Sequence, residues 1–177
     1  MSERRVISVF GSGDARPESP EYAAAERVGQ VLGSLGYAVA NGGYGGTMEA
    51  ASRGARAAGA TVIGVTCRVW PGRANAFVDE VIETAELYER LRTLIGLGTA
   101  GYVALPGATG TLLELAAVWE LAGKQVAAAR PVVCVGEYWR PLVALIGQWK
   151  SSAASRISFV DSPEELSRHF PPVRLEG

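Results

Sequence analysis

Short apolar runs that end in glycine-rich turns, each followed by a segment with helical spacing, constrain the fold of this chain most strongly. Three such runs are present, at Val6–Phe10, at 37–40 and at Tyr102–Leu105. The runs are continuously apolar rather than alternating, which is typical of strands buried on both faces. Such strands, alternating with helices, predict a doubly wound α/β fold with a mainly parallel sheet and helices on both faces.

The rest of the chain continues the same alternation. Further strands are predicted at 61–65, 78–82, 131–135 and 157–160, and helices at about 20–35, 47–58, 86–97, 112–121, 139–149 and after Ser162. Residues 68–77 carry proline, glycine and asparagine without a period, which predicts an exposed loop. Because no repeat or shift in composition marks a boundary, residues 1–177 are predicted to form one domain.

The charge balance argues against several classes of partner. The formal net charge is −1, so neither a nucleic-acid surface nor a basic membrane patch is predicted. No apolar stretch is long enough to span a bilayer, and the first apolar run is too short for a signal peptide. Cys67 and Cys134 lie in apolar surroundings, as reduced thiols do. We therefore expect a cytoplasmic protein without membrane or nucleic-acid partners.

Histidine and lysine are scarce, and this limits the available chemistry. His169 is the single histidine, and Lys124 and Lys150 are the only lysines. A metal site built on histidines and a Ser-His-Asp hydrolase are therefore excluded. A pyridoxal enzyme needs a lysine in a pocket, whereas both lysines here are predicted at solvated helix ends.

The glycine-rich turns are candidate phosphate sites, because ligands of doubly wound sheets bind at the carboxyl ends of the strands. The turns lie at Gly11–Gly13, Gly42–Gly46 and Gly107–Gly110. Each turn alone could serve only tight packing, but three turns at one edge favour a phosphate-bearing ligand. The dinucleotide fingerprint is absent, because the first turn lacks its third glycine and Asn41, not an acidic residue, ends the second strand. No Gly-Lys-Ser/Thr sequence of a P-loop occurs either.

The third turn carries the strongest functional signal. A helix that starts after it would present unpaired N–H groups and a positive dipole end to an anion, with Thr109 and Thr111 as hydroxyl donors. Glu114 is expected in the first helical turn, directed back at the same pocket. A glutamate there could merely stabilise the helix dipole, as could Glu49 after the second turn. A carboxylate beside a phosphate site nevertheless suggests catalysis.

Two arginines on the helix before this turn have two interpretations. Arg90 and Arg92 are either phosphate ligands, to which the planar guanidinium is suited, or parts of a solvated helix face.

Two motifs together resemble the Lonely Guy (LOG) family. They are Pro-Gly-x-x-Gly-Thr-x-x-Glu at 106–114, preceded by the arginine-bearing helix, and Gly-Gly-Tyr-Gly-Gly-Thr-Met-Glu at 42–49. The resemblance covers about residues 6 to 135 and implies a Rossmann-like fold, usually in a homodimer, without metal or organic cofactor. The alternative family label, possible lysine decarboxylase, fits poorly with the scarcity of lysine.

The resemblance also implies an activity. Family members with known activity cleave the N-glycosidic bond of cytokinin riboside 5′-monophosphate and release the free base and ribose 5-phosphate. The expected ligand is therefore a small nucleoside 5′-monophosphate, either a cytokinin riboside monophosphate or AMP.

Carried over by position, the resemblance assigns roles to individual residues. Glu114 and Arg90 become the catalytic residues: Glu114 is the carboxylate, and Arg90 orients the nucleotide and helps to neutralise charge on its phosphate or leaving base. The family's loop falls on Gly107, Ala108, Thr109, Gly110 and Thr111. The other predicted phosphate- and substrate-binding residues come from the argument on the first two turns and are Gly11, Ser12, Gly42, Gly43, Gly45, Gly46 and Thr47.

The chain departs from the family pattern at several positions. Ala108 replaces a motif glycine, and Leu91 replaces a common lysine. One inserted residue within 96–101 leaves Arg92 as an alternative to Arg90. A non-catalytic carrier of a phosphorylated ligand such as molybdenum cofactor, and a nucleotide sensor, therefore stay open beside the enzyme.

Overall fold

Seven parallel strands form one sheet in the order β4-β3-β2-β1-β5-β6-β7. The computed structural model describes residues 4–124 and 130–173 of the chain. The strands are β1 (Val6–Phe10), β2 (Ala38–Asn41), β3 (Val62–Cys67), β4 (Glu80–Thr84), β5 (Gly101–Ala104), β6 (Val132–Val135) and β7 (Ile157–Val160). The expected Rossmann-like α/β fold is confirmed. That residues 1–177 form a single domain stays a prediction.

Helices cover both faces of the sheet, as predicted. They are α1 (Pro20–Ser34), α2 (Thr47–Ala57), α3 (Leu87–Leu97), α4 (Thr109–Lys124), α5 (Arg140–Trp149), α6 (Ser151–Ala154) and a 3₁₀ helix at Pro163–Arg168. The side chains of β1 divide the core, because Ile7 and Val9 pack with α1 and α2 whereas Phe10 packs with α3, α4 and α5. Within the described ranges, no helix is long and apolar enough to cross a membrane.

The start of α4 differs from the prediction. The helix begins at Thr109 rather than Leu112, because the N–H group of Leu112 already bonds the carbonyl oxygen of Ala108 at 3.0 Å. The apolar period that predicted this helix begins only at Leu112, because the first two residues of the helix, threonine and glycine, are not part of it. Glu114 therefore lies in the second helical turn. The prediction that it lies in the first turn, where it could stabilise the helix dipole, is wrong.

Smaller differences concern β4 and the C-terminal region. The strand β4 starts at Glu80 instead of 78, because Asp79 is held just before it by two bonds to Val62. The helix predicted after Ser162 is a 3₁₀ helix, and the short helix α6 had no counterpart in the sequence pattern.

Helices α1 and α2 touch each other through their backbones. A Cβ atom on Gly29 would overlap the carbonyl oxygen of Ala51, and one on Gly54 would overlap the carbonyl oxygen of Glu26. The two glycines therefore allow an approach that a larger residue would block. This face of the sheet is closed by direct helix contact.

The carboxyl ends of β1, β2 and β5 lie side by side. The chain runs from β1 to β4 on one side of the sheet and then crosses to β5 on the other, so the strand order reverses between β1 and β5. Ligands of this architecture bind outside such a reversal. The three glycine-rich turns follow these three strands and meet at the same edge.

Candidate active site

Arg90 and Glu114 face each other between α3 and α4. The Nη1 atom of Arg90 donates a hydrogen bond to Oε1 of Glu114 at 3.2 Å, and its Nε atom donates to the carbonyl oxygen of Val65 at 2.8 Å. The side chains of the two charged residues are only 9 and 11% exposed. Removal of Glu114 would leave the buried charge of Arg90 without its counter-charge, and removal of Arg90 would favour the protonated form of Glu114.

Two aromatic rings surround the guanidinium group of Arg90. Its central carbon lies 5.3 Å from the ring centre of Trp70 and 5.8 Å from that of Tyr44. The hydroxyl of Tyr44 is fixed by Cys67, from whose N–H it accepts at 2.9 Å and to whose carbonyl oxygen it donates at 3.2 Å. Because a guanidinium is weakly hydrated and binds aromatic faces well, these rings help to hold it in one orientation.

Gly42 makes room for the arginine. A Cβ atom at this position would overlap Nη2 of Arg90 and lie 2.5 Å from the sulfur of Met48. The turn after β2 therefore contributes to the site by the absence of a side chain.

Burial shifts the titration of the carboxylate. The pKa of Glu114 is raised from 4.5 to about 7, chiefly because burial disfavours its charged form. The positive charge and hydrogen bond of Arg90 act in the opposite direction but offset only part of this effect. Near neutral pH, Glu114 therefore populates both protonation states, which suits a group that accepts and returns a proton.

A cavity of about 400 Å³ opens beside this pair. Its lining comprises Trp70, Leu87, Arg90, Leu91, Thr109, Gly110, Leu113 and Glu114. The N–H groups of Thr109, Gly110 and Thr111 precede the first helical hydrogen bond of α4, so they have no partner within the helix. The positive end of the helix dipole adds to their attraction for an anion.

The predicted phosphate-binding residues are divided between two cavities. Thr109 and Gly110 line the cavity that contains Glu114. Ser12, Thr47 and Gly107 line a neighbouring cavity of about 340 Å³ instead. The expectation that the three turns form one pocket rim is therefore met only in part.

Several donors of the first two turns are already used inside the protein. The N–H of Gly43 bonds Oδ1 of Asn41 at 2.8 Å. The N–H and hydroxyl of Thr47 both bond the carbonyl oxygen of Ser12, at 2.9 and 3.1 Å. Gly46, with φ of 66°, packs directly on the backbone of Ser12. These residues shape the edge of the site, and their direct contact with phosphate stays a prediction.

The other residues that were predicted to bind phosphate or substrate differ in their contacts and exposure. Gly11 packs on the hydroxyl of Thr47, and Gly107 packs on Thr111, whose side chain is buried. Gly45 lies near the carboxylate of Glu49, and Ala108 is exposed just before α4.

The two candidate arginines have different environments. Arg90 is buried and bonded to Glu114, whereas Arg92 is exposed on the same helix. The geometry therefore selects Arg90 as the arginine that accompanies the carboxylate.

Sequence reasoning missed three residues that build the site. Trp70 and Tyr44 cover Arg90, and Asn41 ties the second turn to α2 through bonds to Met48 and Ser52. An asparagine directly before two glycines is a usable signal, because its side chain commonly bonds the backbone two residues on. A tryptophan in a loop at the carboxyl edge of the sheet was a second such signal.

The comparisons with known proteins agree with this architecture. The family model of the SLOG cluster4 family matches residues 4–167. The chain belongs to this family. The resemblance to the LOG family holds at this broader, LOG-like level, and membership of the LOG family itself stays a prediction.

Two relatives and one solved structure are similar to this SLOG cluster4 protein. An uncharacterized protein of Archaeoglobus fulgidus is 33% identical over 73% of this chain and 82% of its own length. A cytokinin riboside 5′-monophosphate phosphoribohydrolase of Mycobacterium marinum is 32% identical over 66% of this chain and 63% of its own. The structure of a molybdenum cofactor binding protein from Rippkaea orientalis matches with a TM-score of 0.76 at 25% identity, over 95% of this chain and 96% of that one.

Proposed function

We propose that this SLOG cluster4 protein is a phosphoribohydrolase that cleaves the N-glycosidic bond of a nucleoside 5′-monophosphate. Its substrate would be a cytokinin riboside monophosphate or AMP, and its products the free base and ribose 5-phosphate. The observation that carries the proposal is the buried pair of Arg90 and Glu114 in a cavity that ends at the N-terminus of α4. The similarity to the phosphoribohydrolase of Mycobacterium marinum supports it.

Hydrolysis of this bond needs a carboxylate next to the ribosyl carbon. As the bond to the base breaks, positive charge develops at C1′, and an ionised Glu114 stabilises it. Water adds its oxygen to C1′, and one of its protons passes through Glu114 to the nitrogen of the departing base. The raised pKa of Glu114, about 7, suits both halves of this transfer.

Arg90 has a positioning role in this mechanism. Its bond to Val65 and the two aromatic rings fix the guanidinium, and the guanidinium in turn fixes one oxygen of Glu114. Its positive charge also favours the ionised form of the carboxylate and attracts the anionic substrate.

The 5′-phosphate is assigned to the first turn of α4. Thr109 and Gly110 line the cavity together with Glu114, and the free N–H groups of this turn suit an anion. In this assignment α4 contacts both the phosphate and the ribosyl carbon, because the catalytic carboxylate lies one helical turn after the anion site.

A carrier function is the second candidate. The overall similarity to the molybdenum cofactor binding protein favours it, as does Leu91 at a position where the LOG pattern commonly has lysine. In that case the same cavity would hold a phosphorylated ligand without breaking a bond.

A substrate panel separates the two candidates. The purified protein is incubated with AMP, GMP, CMP, UMP and a cytokinin riboside monophosphate, and released ribose 5-phosphate is quantified. Adenosine is the control, because it keeps the bond but lacks the phosphate. We expect release from at least one monophosphate and none from adenosine. No release from any of them, with a phosphorylated ligand retained through purification, would favour the carrier.

Assembly, partners and location stay predictions. We propose a homodimer, as the LOG resemblance implies, which sedimentation velocity would test. The expected cytoplasmic location and the expected lack of nucleic-acid partners rest on the composition described above.

A further inference from the structure

We propose that Trp70 is the surface on which the base of the substrate stacks, so that the site selects phosphate esters bearing a planar heteroaromatic ring. The inference rests on the proposed function, because it concerns the same cavity. It adds a specificity-determining residue outside the three glycine-rich turns and the Arg90–Glu114 pair.

Trp70 is both anchored and open to the cavity. Its ring contacts the guanidinium of Arg90 at 5.3 Å and meets the ring of Tyr44 edge-on at 6.5 Å. It is nevertheless 40% exposed and lines the cavity that contains Glu114. A large aromatic residue left open to solvent in a substrate-sized cavity indicates a ligand contact.

The backbone holds Trp70 in this position. The N–H of Trp70 bonds the carbonyl oxygen of Cys67 at 3.2 Å, which forms a turn directly after β3. Two residues later Gly72, with φ of 143°, lies against the ring of Tyr44. A ring that is fixed before the ligand arrives loses little conformational freedom on binding.

The cavity lining separates polar from apolar groups. The polar groups are Arg90, Glu114 and the first turn of α4, whereas Leu87, Leu91 and Leu113 are apolar. Phosphate and ribose need the polar groups, so the apolar part of the lining is left for the base. Trp70 joins the two parts, since it contacts Arg90 and borders the same cavity as the leucines.

Equilibrium binding tests the inference without depending on catalysis. Formycin 5′-monophosphate, an AMP analogue whose base is attached through carbon, cannot be hydrolysed at this bond. Its affinity and that of ribose 5-phosphate are measured by calorimetry for the wild type and for Trp70→Leu, Trp70→Phe and Trp149→Leu. Leucine keeps an apolar cover over Arg90 while removing the ring, and Trp149 is a matched control because it is 94% exposed and outside this cavity.

Loss of stacking should affect only the ligand that carries a base. Trp70→Leu is expected to weaken the binding of formycin 5′-monophosphate roughly ten- to a hundredfold and the binding of ribose 5-phosphate by less than about twofold. Trp70→Phe should retain most of the affinity, and Trp149→Leu should change neither ligand.

Three results would overturn the inference. Equal weakening of both ligands by Trp70→Leu would show that Trp70 acts through Arg90. Unchanged binding of both would place the base elsewhere, and failure of the wild type to bind formycin 5′-monophosphate would exclude the proposed adenine-bearing ligand. If the analogue binds with the expected pattern but no monophosphate is hydrolysed, the stacking inference stands and the hydrolase proposal fails.

Discussion

The sheet carries two helix pairs of opposite character. On one face, α1 and α2 pack backbone to backbone through Gly29 and Gly54. On the other, α3 and α4 are linked by the buried ion pair of Arg90 and Glu114 beside a cavity. Helices α1 and α2 pack closely, whereas α3 and α4 bury two charged groups where apolar side chains could otherwise be in contact.

The charged residues of the two pairs differ in the same way. Between α1 and α2, Arg53 and Glu26 lie 3.4 Å apart but are 52 and 36% exposed, so their attraction contributes little to stability. Between α3 and α4 the charges are buried, and the raised pKa of Glu114 shows that burial outweighs its attraction to Arg90. The closest helix packing and the proposed catalytic pair thus lie on opposite faces of one sheet.

The largest effect on stability is expected on the α1–α2 face. Gly54→Ala places a methyl group against the carbonyl oxygen of Glu26 and should lower the free energy of unfolding by about 3 kcal/mol. Gly96→Ala on α3 is the control, because a Cβ there meets nothing within 4 Å, and it should stabilise slightly. Urea unfolding measures both variants. Equal stability of Gly54→Ala and the wild type would contradict the close packing of this face.

The next effect concerns the pH dependence of stability on the α3–α4 face. Between pH 4.5 and about 7, the folded state keeps a proton on Glu114 that the unfolded state has lost. Stability from this group is therefore full below this window and falls as pH rises through it. Between pH 5 and 8, the free energy of unfolding of the wild type should fall by about 2 kcal/mol more than that of Glu114→Gln. Urea unfolding of both proteins at the two pH values measures the difference, and parallel pH dependence would refute a raised pKa.

Activity should depend on pH in the opposite sense. If ionised Glu114 stabilises the ribosyl cation, kcat falls as pH drops through about 7, toward the lower pH at which Glu114 contributes most to the stability of the folded protein.

A smaller effect is expected from the position of Arg90. Gly42→Ala would push the guanidinium away from its place and should lower kcat roughly tenfold, equivalent to about 1.4 kcal/mol in the barrier, with a smaller rise in KM because Arg90 also attracts the substrate. Steady-state kinetics with Gly96→Ala as the control measure this effect. An unchanged kcat would show that the exact placement of Arg90 does not matter for turnover.

The strands were largely predictable from the sequence, because continuously apolar segments such as Val132–Val135 have few alternatives in a chain of this composition. The first residues of the helices were harder to predict, as α4 illustrates. Its first residues, Thr109 and Gly110, are polar or small and follow a glycine-containing turn, so they show no apolar periodicity. A local error of three residues changed the interpretation of Glu114, which lies in the second turn of α4 and bonds Arg90 instead of stabilising the helix dipole.

The site was predictable in its residue types but not in its arrangement. Glu114 and Arg90 were found by motif, whereas their bond depends on how α3 and α4 pack, which no local pattern encodes. The use of Thr47 as a donor to Ser12 likewise arises only when two distant turns meet. Trp70 was missed because a loop without periodicity gives no indication of the direction of its side chains.

The most direct test of the central claim is single-turnover release of ribose 5-phosphate by Glu114→Gln. The best monophosphate from the substrate panel is used, and binding of formycin 5′-monophosphate verifies that the site is intact. We predict that release slows by roughly a hundred- to a thousandfold while the affinity for the analogue stays within about threefold of the wild type. Release at the wild-type rate would contradict the assignment of Glu114 as the catalytic carboxylate.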